Sequence, residues 1–282
     1  MELLLDIFLD ATIDSFKMLP FLFVAFLAIE ALEHYSEEFS EKMMRKARKA
    51  GPVIGAVLGC FPQCGFSVMG ANLFSARVIS AGTLLSIFLA TSDEAILIIL
   101  GNPGYMKEVV LLLTAKVMIA VIAGYSVNLI FGDRLRSDVI GPDICEHCGC
   151  HDEKTGILLP AWRHTIKVFA YIYVLNFILG LLVELFGITR ISTIMLNGTI
   201  IQPFITALVG LIPNCAASVL LTQLYLHQAI SFASVISGLC TGAGLGILVL
   251  FRVNRDRMEN IKIVGLLYAI AVISGMIIQL IF

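Results

Sequence analysis

Three long stretches of the chain contain no Asp, Glu, Lys or Arg: residues 51–76, 200–251 and 263–282. Runs of this length cannot coat a soluble domain. In hydrocarbon they must satisfy their own backbone hydrogen bonds, which favours helices. A spanning helix needs about 20 apolar residues. Composition supports this reading. Charged residues make up 14% and apolar residues 59%, with a mean hydropathy of +0.94, whereas soluble domains carry roughly 25% charged residues. A soluble domain, a disordered or collagenous chain, a coiled coil and a secreted disulfide scaffold are all excluded. A net charge of −2 and a pI near 6.2 leave no general basic surface for nucleic acid. The opening residues Met1 to Asp6 carry acid rather than a basic segment, so no cleaved signal peptide is expected.

Uninterrupted spans are expected near 16–33, 79–101, 109–131, 167–187, 228–251 and 262–282. Two further apolar stretches, 51–76 and 200–226, are interrupted by Phe61-Pro62-Gln63-Cys64-Gly65 and Ile212-Pro213-Asn214-Cys215-Ala216. Proline removes a backbone donor and clashes with the preceding turn. Each stretch is therefore either one kinked span or a hairpin of two short helices.

The chain repeats itself at an offset of 151 residues. Gly59, Pro62, Cys64, Ser67, Ser80 and Ser86 align with Gly210, Pro213, Cys215, Ser218, Ser231 and Ser237. Gln63 meets Asn214, and Ala120-Val121-Ile122 with Gly124 meets Ala271-Val272-Ile273 with Gly275. Upstream, Ile13 and Phe16 pair with Ile166 and Phe169 at a nearby offset. Chance similarity between apolar helices explains matched Leu and Ile, but not Pro, Cys, Ser and Gly in register.

Basic residues favour the cytoplasmic side of short loops. Three loops qualify: Lys42 to Lys49, the central segment from Arg134 to Arg163, and Arg252 to Lys262. All three fall inside only if the proline-containing stretches are hairpins that enter and leave on one side. Lys17, Lys107, Lys116 and Arg190 are then expected near the outer face. Each half crosses an odd number of times, so the second half is inverted. The predicted architecture is an all-α integral membrane protein of about ten segments. It comprises a first membrane repeat (1–131), a cytoplasmic Cys/His-rich linker (132–164) and a second repeat (165–282). Inverted repeats with broken helices are a transporter architecture, with the site near the midplane.

The candidate substrate site follows from the two breaks: Pro62, Gln63, Cys64 and Ser67, with Pro213, Asn214, Cys215 and Ser218. A broken helix frees backbone groups, which lipid tolerates only beside protein or a cavity. Thiolates select soft ions; amide, hydroxyl and carbonyl oxygens suit harder ones. The competing reading is that these residues only permit close packing. Ser92, Asp93 and Glu94 join the site, because a central Asp costs about 2.5–3.5 kcal/mol even on the lenient insertion scale. Their partners are Ala243, Gly244 and Leu245, so the acids stand outside the duplicated scaffold. A third cluster, Cys145, His147, Cys148, Cys150 and His151, has the ligand density and C-x-x-C spacing of a metal site. It could hold zinc or the transported metal, or be a redox-active loop. Glu30 and Glu184 are read as interfacial acids, His34 and His227 as structural, Cys240 as packing, and Asn128, Asn176 and Gln279 as interhelical glue.

The Phe61-to-Ser67 run, Ser92-Asp93-Glu94, Ile212-Pro-Asn-Cys and the central Cys/His loop resemble the ten-transmembrane heavy-metal exporter family related to arsenical permeases. Its members are described as arsenic effluxers or manganese transporters. The resemblance spans nearly the whole chain and implies efflux across a prokaryotic plasma (inner) membrane.

The expected function is secondary export of an arsenical or a divalent cation such as manganese. No required cofactor is expected. The lipid bilayer, the metal or metalloid and protons are the expected partners; the chain could also form a homo-oligomer. No ATP-binding loop occurs. No deep His is available to activate a thiol, so an enzyme is not expected. The alternative is a membrane metal sensor that uses the Cys/His loop without net transport.

Overall fold

The computed structural model describes residues 12–13, 16, 19–20, 23–24, 27, 50–61, 65–92, 95–100, 106–131, 158–159, 162–163, 165–166, 169–170, 173–174, 177–178 and 201–281. All regular structure among them is helical. In chain order the helices of the first half are α1 (Ala50–Gly59), α2 (Gly65–Ser75), α3 (Ala81–Ala90), α4 (Ala95–Leu100) and α5 (Met106–Phe131). Those of the second half are α6 (Gln202–Gly210), α7 (Cys215–Leu226), α8 (Phe232–Thr241), α9 (Leu245–Val253) and α10 (Arg257–Ile281). Three stretches are long and apolar enough to cross a membrane: Lys107–Phe131, Phe232–Val253 and Arg257–Ile281.

Every element of 50–131 has a counterpart 151 residues later, down to its turns. Arg77 and Gln228 both adopt left-handed backbone, with φ of 60° and 57°. Behind them the N–H of Val78 donates to Leu73 O at 2.9 Å, and that of Ala229 to Leu224 O at 2.8 Å. Ser80 and Ser231 then cap α3 and α8, each hydroxyl accepting from the backbone N–H three residues on. Such a cap satisfies a donor that the first turn leaves orphaned.

Helices α3 and α8 form the core. All ten residues of α3 are buried, as are Ala233 to Thr241 of α8. A helix that is apolar on all sides belongs inside a larger assembly. By contrast, α5 and α10 turn apolar faces outward: Leu129 and its counterpart Leu280 are each 87% exposed, as a lipid-facing surface would be.

Small residues set the helix spacing. Gly51, Gly55 and Gly59 recur every fourth residue on α1. A Cβ on them would collide in turn with Thr83, with Thr83 O and Ile87, and with Ile87 O and Ala90. The contacts advance along both helices together, so α1 and α3 run parallel and nearly touch. In the second half Ser237 Oγ donates to Pro203 O at 2.9 Å and Thr241 Oγ1 to Ala207 O at 2.7 Å, so α6 and α8 are parallel too. Helix α5 runs antiparallel to α3: Gly82 N donates to Asn128 Oδ1 at 3.1 Å and Ser86 Oγ to Ala120 O at 2.8 Å. Asn128 is thus the interhelical glue expected of it.

Two spans expected to be continuous are broken. The run 79–101 divides into α3 and α4, with Thr91 and Ser92 non-helical. The run 228–251 divides into α8 and α9 across Gly242, Ala243 and Gly244. Gly244 takes φ 53°, a conformation that favours a residue lacking Cβ. Apolar length alone concealed both breaks.

Candidate functional site

The broken helices converge on one side chain. Lys116 lies on α5, ten residues after its first residue, which is about 15 Å along a helix of 1.5 Å rise. Its side chain is fully buried. Its ammonium donates to Thr91 O at the C-terminal end of α3, and to Leu239 O in the last turn of α8 at 2.9 Å. Both acceptors lie at helix C-termini, where unpaired carbonyls and the helix dipole favour a cation. One ammonium therefore links the broken helix of one half to that of the other. The expectation that Lys116 lies near the outer face is overturned. A lysine at this depth is held by carbonyls, not by solvent.

Around it lie the ends of the shorter helices. A Cβ on Gly59 would come within 2.6 Å of Ile87 O and 3.2 Å of Thr91 N, so the end of α1 abuts the start of the first break. In the second half Gly210 packs in the same way against Gly238 and Thr241. The two free thiols among the described residues are half-buried Cys60, just past the end of α1, and fully buried Cys240, next to Leu239 in α8. Cys240 packs in the core, as expected.

The predicted site residues that the structure describes fall into three groups. Ser67, in the first turn of α2, is fully buried and touches Gly246 of α9: a Cβ there would lie 2.8 Å from Ser67 Cβ. Ser218 on α7 is buried, and α7 packs against α4. Each proline-containing motif thus feeds a helix that packs on the broken helix of the opposite half. Ser92 is buried at the first break, its hydroxyl donating to Ala90 O at 2.9 Å. Pro213 and Asn214 are half-buried between α6 and α7, with Asn214 N donating to Ile212 O at 2.7 Å; Cys215 opens α7. The remaining predicted residues lie outside the described ones: Pro62, Gln63, Cys64, Asp93, Glu94, Cys145, His147, Cys148, Cys150 and His151. So do Glu30, His34, Asn176 and Glu184. Among the described residues no three His, Cys, Asp or Glu side chains are grouped to hold a metal.

Lys116 and Thr91 are the residues that sequence reasoning missed. One signal was present: Lys116 is the single charge in 109–131, and its counterpart at the 151 offset is Leu267.

A second polar cluster joins the halves. Arg77 pairs with Glu259 at 2.8 Å, and Asn254 Nδ2 donates to the other carboxylate oxygen at 2.8 Å and to Asn260 Oδ1 at 2.7 Å. Glu259, Asn254 and Asn260 are all buried.

Among the described residues the structure is all-helical, and its interrupted helices meet at a buried charge, as suits a polytopic membrane protein. A family model described as 10TM heavy-metal exporter matches residues 3–195. The chain belongs to that family. No curated protein and no solved structure matches it.

Proposed function

We propose that the protein is a secondary transporter that exports a heavy metal or metalloid across a prokaryotic plasma membrane, with its substrate site at the meeting point of the helix breaks. The observation that carries this reading is Lys116 joining the ends of two broken helices from opposite halves. Non-helical backbone at membrane depth is tolerated where it lines a cavity or is buried in protein. Facing discontinuous helices with free carbonyls are how transporters hold ions at the midplane.

The inverted-repeat reading draws support from the first span of each half. Thr12 Oγ1 meets Tyr173 Oη at 3.2 Å, the Phe16 and Phe169 rings lie 5.5 Å apart, and those of Phe23 and Trp162 lie 5.7 Å apart. Residue numbers rise on one side as they fall on the other, so these related segments are antiparallel. Hairpins draw support from the direction of α1. It runs parallel to α3, whereas the tight turn at Arg77 folds α3 back along α2. On this reading α1 and α2 enter and leave on one side, as do α6 and α7.

In the proposed mechanism, Gln63, Cys64, Asn214 and Cys215 coordinate the cargo and Asp93 and Glu94 supply negative charge. The two repeats move against each other to open the site alternately. Cysteine ligands favour a thiophilic species such as trivalent arsenic; carboxylates and amides favour Mn²⁺. Metal bound at Cys145, His147, Cys148, Cys150 and His151 would load or sense cargo from the cytoplasmic side. The test is uptake of arsenite and Mn²⁺ into inside-out vesicles by wild type, Cys64→Ser and Asp93→Asn. Arsenite uptake lost in Cys64→Ser identifies thiol coordination; Mn²⁺ uptake lost in Asp93→Asn identifies a divalent cargo. Wild-type vesicles that take up neither ion would refute the proposal.

A further inference from the structure

We propose that Lys116 is the tethered coupling cation of the transport cycle: its ammonium fills a cation position between the two broken helices, and it gives up a proton when cargo binds. The inference rests on the transporter reading above. A free coupling ion at such a site would be held by carbonyl oxygens at helix C-termini. Here Thr91 O and Leu239 O, one from each half, are held by an ammonium supplied by α5. Burying a charge is expensive unless it is paired and hydrogen-bonded, and ionisable groups inside membrane proteins mark ion and proton pathways. Packing alone does not require it, because the counterpart Leu267 on α10 is fully buried and apolar.

Among the described residues, the elements packed on α5 bring few titratable groups to this position. Helices α3, α4 and α8 all pack on α5. Their only titratable side chain is Cys240, and Cys60 lies at the end of α1. Asp93 and Glu94, two and three residues beyond Thr91 in the chain, lie outside the described residues. On α5 itself Lys107 and Glu108 are more than two turns away. Lysine is suited to the task, because its ammonium can lose a proton when desolvated, whereas a guanidinium cannot.

The step balances as a proton transfer. With the site open to the cytoplasm, cargo entering the breaks displaces the ammonium from the two carbonyls. One Nζ–H bond breaks, the electron pair stays on nitrogen, and the proton passes to cytoplasmic water. After cargo leaves on the far side, the amine takes a proton from water there and returns to the carbonyls, which resets the carrier. One proton enters for each cargo exported. The bridged arrangement is the protonated, cargo-free state.

The experiment uses the full chain in proteoliposomes, with Mn²⁺ and arsenite as probes and an imposed pH gradient. Wild type is expected to accumulate one of them in response to the gradient. Lys116→Arg keeps a charge that does not titrate, and Lys116→Met keeps none. In both, gradient-driven accumulation should fall roughly tenfold or more, while gradient-free exchange of cargo for cargo survives in at least one. Accumulation at the wild-type level in both variants overturns the inference and leaves the transport reading intact. Movement of neither ion by wild type overturns both. Should neither variant fold, wild type itself decides by acylation with acetic anhydride, with Lys107 as internal reference. Modification of Lys116 should rise with pH and rise further when Mn²⁺ or arsenite is bound. A Lys116 that resists acylation at every pH, with and without either ion, is a structural lysine, and the inference fails.

Discussion

In the second half, the broken helix passes through Gly242, Ala243 and Gly244, and the long helix beside it presents Leu267. In the first half, the same positions hold Thr91, Ser92, Asp93 and Lys116. The second break closes on itself: Ala243 N donates to Thr241 O at 2.8 Å and Gly246 N to Ala243 O at 3.1 Å. The first break instead presents Thr91 O to an ammonium that also takes Leu239 O from the other half. The turns, caps and glycine contacts are duplicated; the charge is not. A duplicated scaffold can supply two equal halves of a pathway, and one-sided charge then makes the second half an acceptor for the first.

The largest expected effect comes from placing a second lysine. Leu267 is fully buried, and in the second break Thr241 O and Ala243 O already accept from backbone N–H groups of the break itself. Leu267→Lys would bury an ammonium without the partners that Lys116 has. An uncompensated buried charge costs about 3–5 kcal/mol, a large part of a typical folding free energy. The expected outcome is loss of monodisperse protein after detergent extraction. Normal yield and an unchanged Tm would mean that the second break offers acceptors of its own, and the asymmetry would be one of occupancy only.

Next come the close helix contacts that the halves share. A Cβ on Gly210 would collide with Gly238 O and Thr241 Oγ1, whereas one on Gly59 would come within 2.6 Å of Ile87 O and 2.8 Å of Ala90 Cβ. Gly210→Ala and Gly59→Ala should each destabilise by about 1–3 kcal/mol through overpacking, with Gly210→Ala the worse. Gly265 has nothing within 4 Å of its added Cβ. Gly265→Ala should be neutral or stabilise by up to about 1 kcal/mol through helix propensity. Tm values in detergent check all three. Equal losses at all three positions would sink the packing account.

The sequence-legible part of this molecule is its scaffold. Ser and Gly in register at the 151 offset marked a duplication, and the turns and caps of the two halves match hydrogen bond for hydrogen bond, because such residues act locally through capping and close approach. The breaks at Thr91 and Gly242 were less legible. Isolated Gly and Thr are tolerated in membrane helices, and only tertiary contacts decide whether they interrupt one. Lys116 was misread because a charge is placed by its partners, and two of its partners are carbonyls 25 and 123 residues away in the chain. The Gly51-Gly55-Gly59 spacing was legible as a close-packing motif and would have aligned α1 with a neighbour.

The inter-repeat ion pair ranks below these. Arg77→Gln installs the counterpart residue found at 228 and leaves the buried carboxylate of Glu259 accepting from Asn254. Arg77 is 22% exposed and Glu259 4%, so the pair is part-shielded. Removing the arginine should lower stability by about 1–3 kcal/mol, the range for a buried acceptor that loses a charged donor. Adding Glu259→Gln should recover part of that loss, since it removes the stranded charge. A double mutant no better than Arg77→Gln would mean that the arginine acts through its contact with the Phe74 ring, 5.5 Å from the guanidinium carbon, and not through the carboxylate.

The smallest effect tests how the halves are related. Glu108 is the counterpart of Glu259, and its Oε2 is buried without a hydrogen-bond partner among the described residues. Gln228 is the counterpart of Arg77 and already has the left-handed backbone that Arg77 adopts. If the repeats are related by the proposed two-fold inversion, an arginine at 228 reaches Glu108 as Arg77 reaches Glu259. Gln228→Arg should then raise stability by up to about 1 kcal/mol, the scale of a partly exposed ion pair. The gain should vanish in a Glu108→Gln background and shrink at high salt, because screening weakens exposed pairs most. A gain that survives Glu108→Gln comes from some other contact. No gain in either background places residue 228 out of reach of Glu108, which the two-fold relation does not allow.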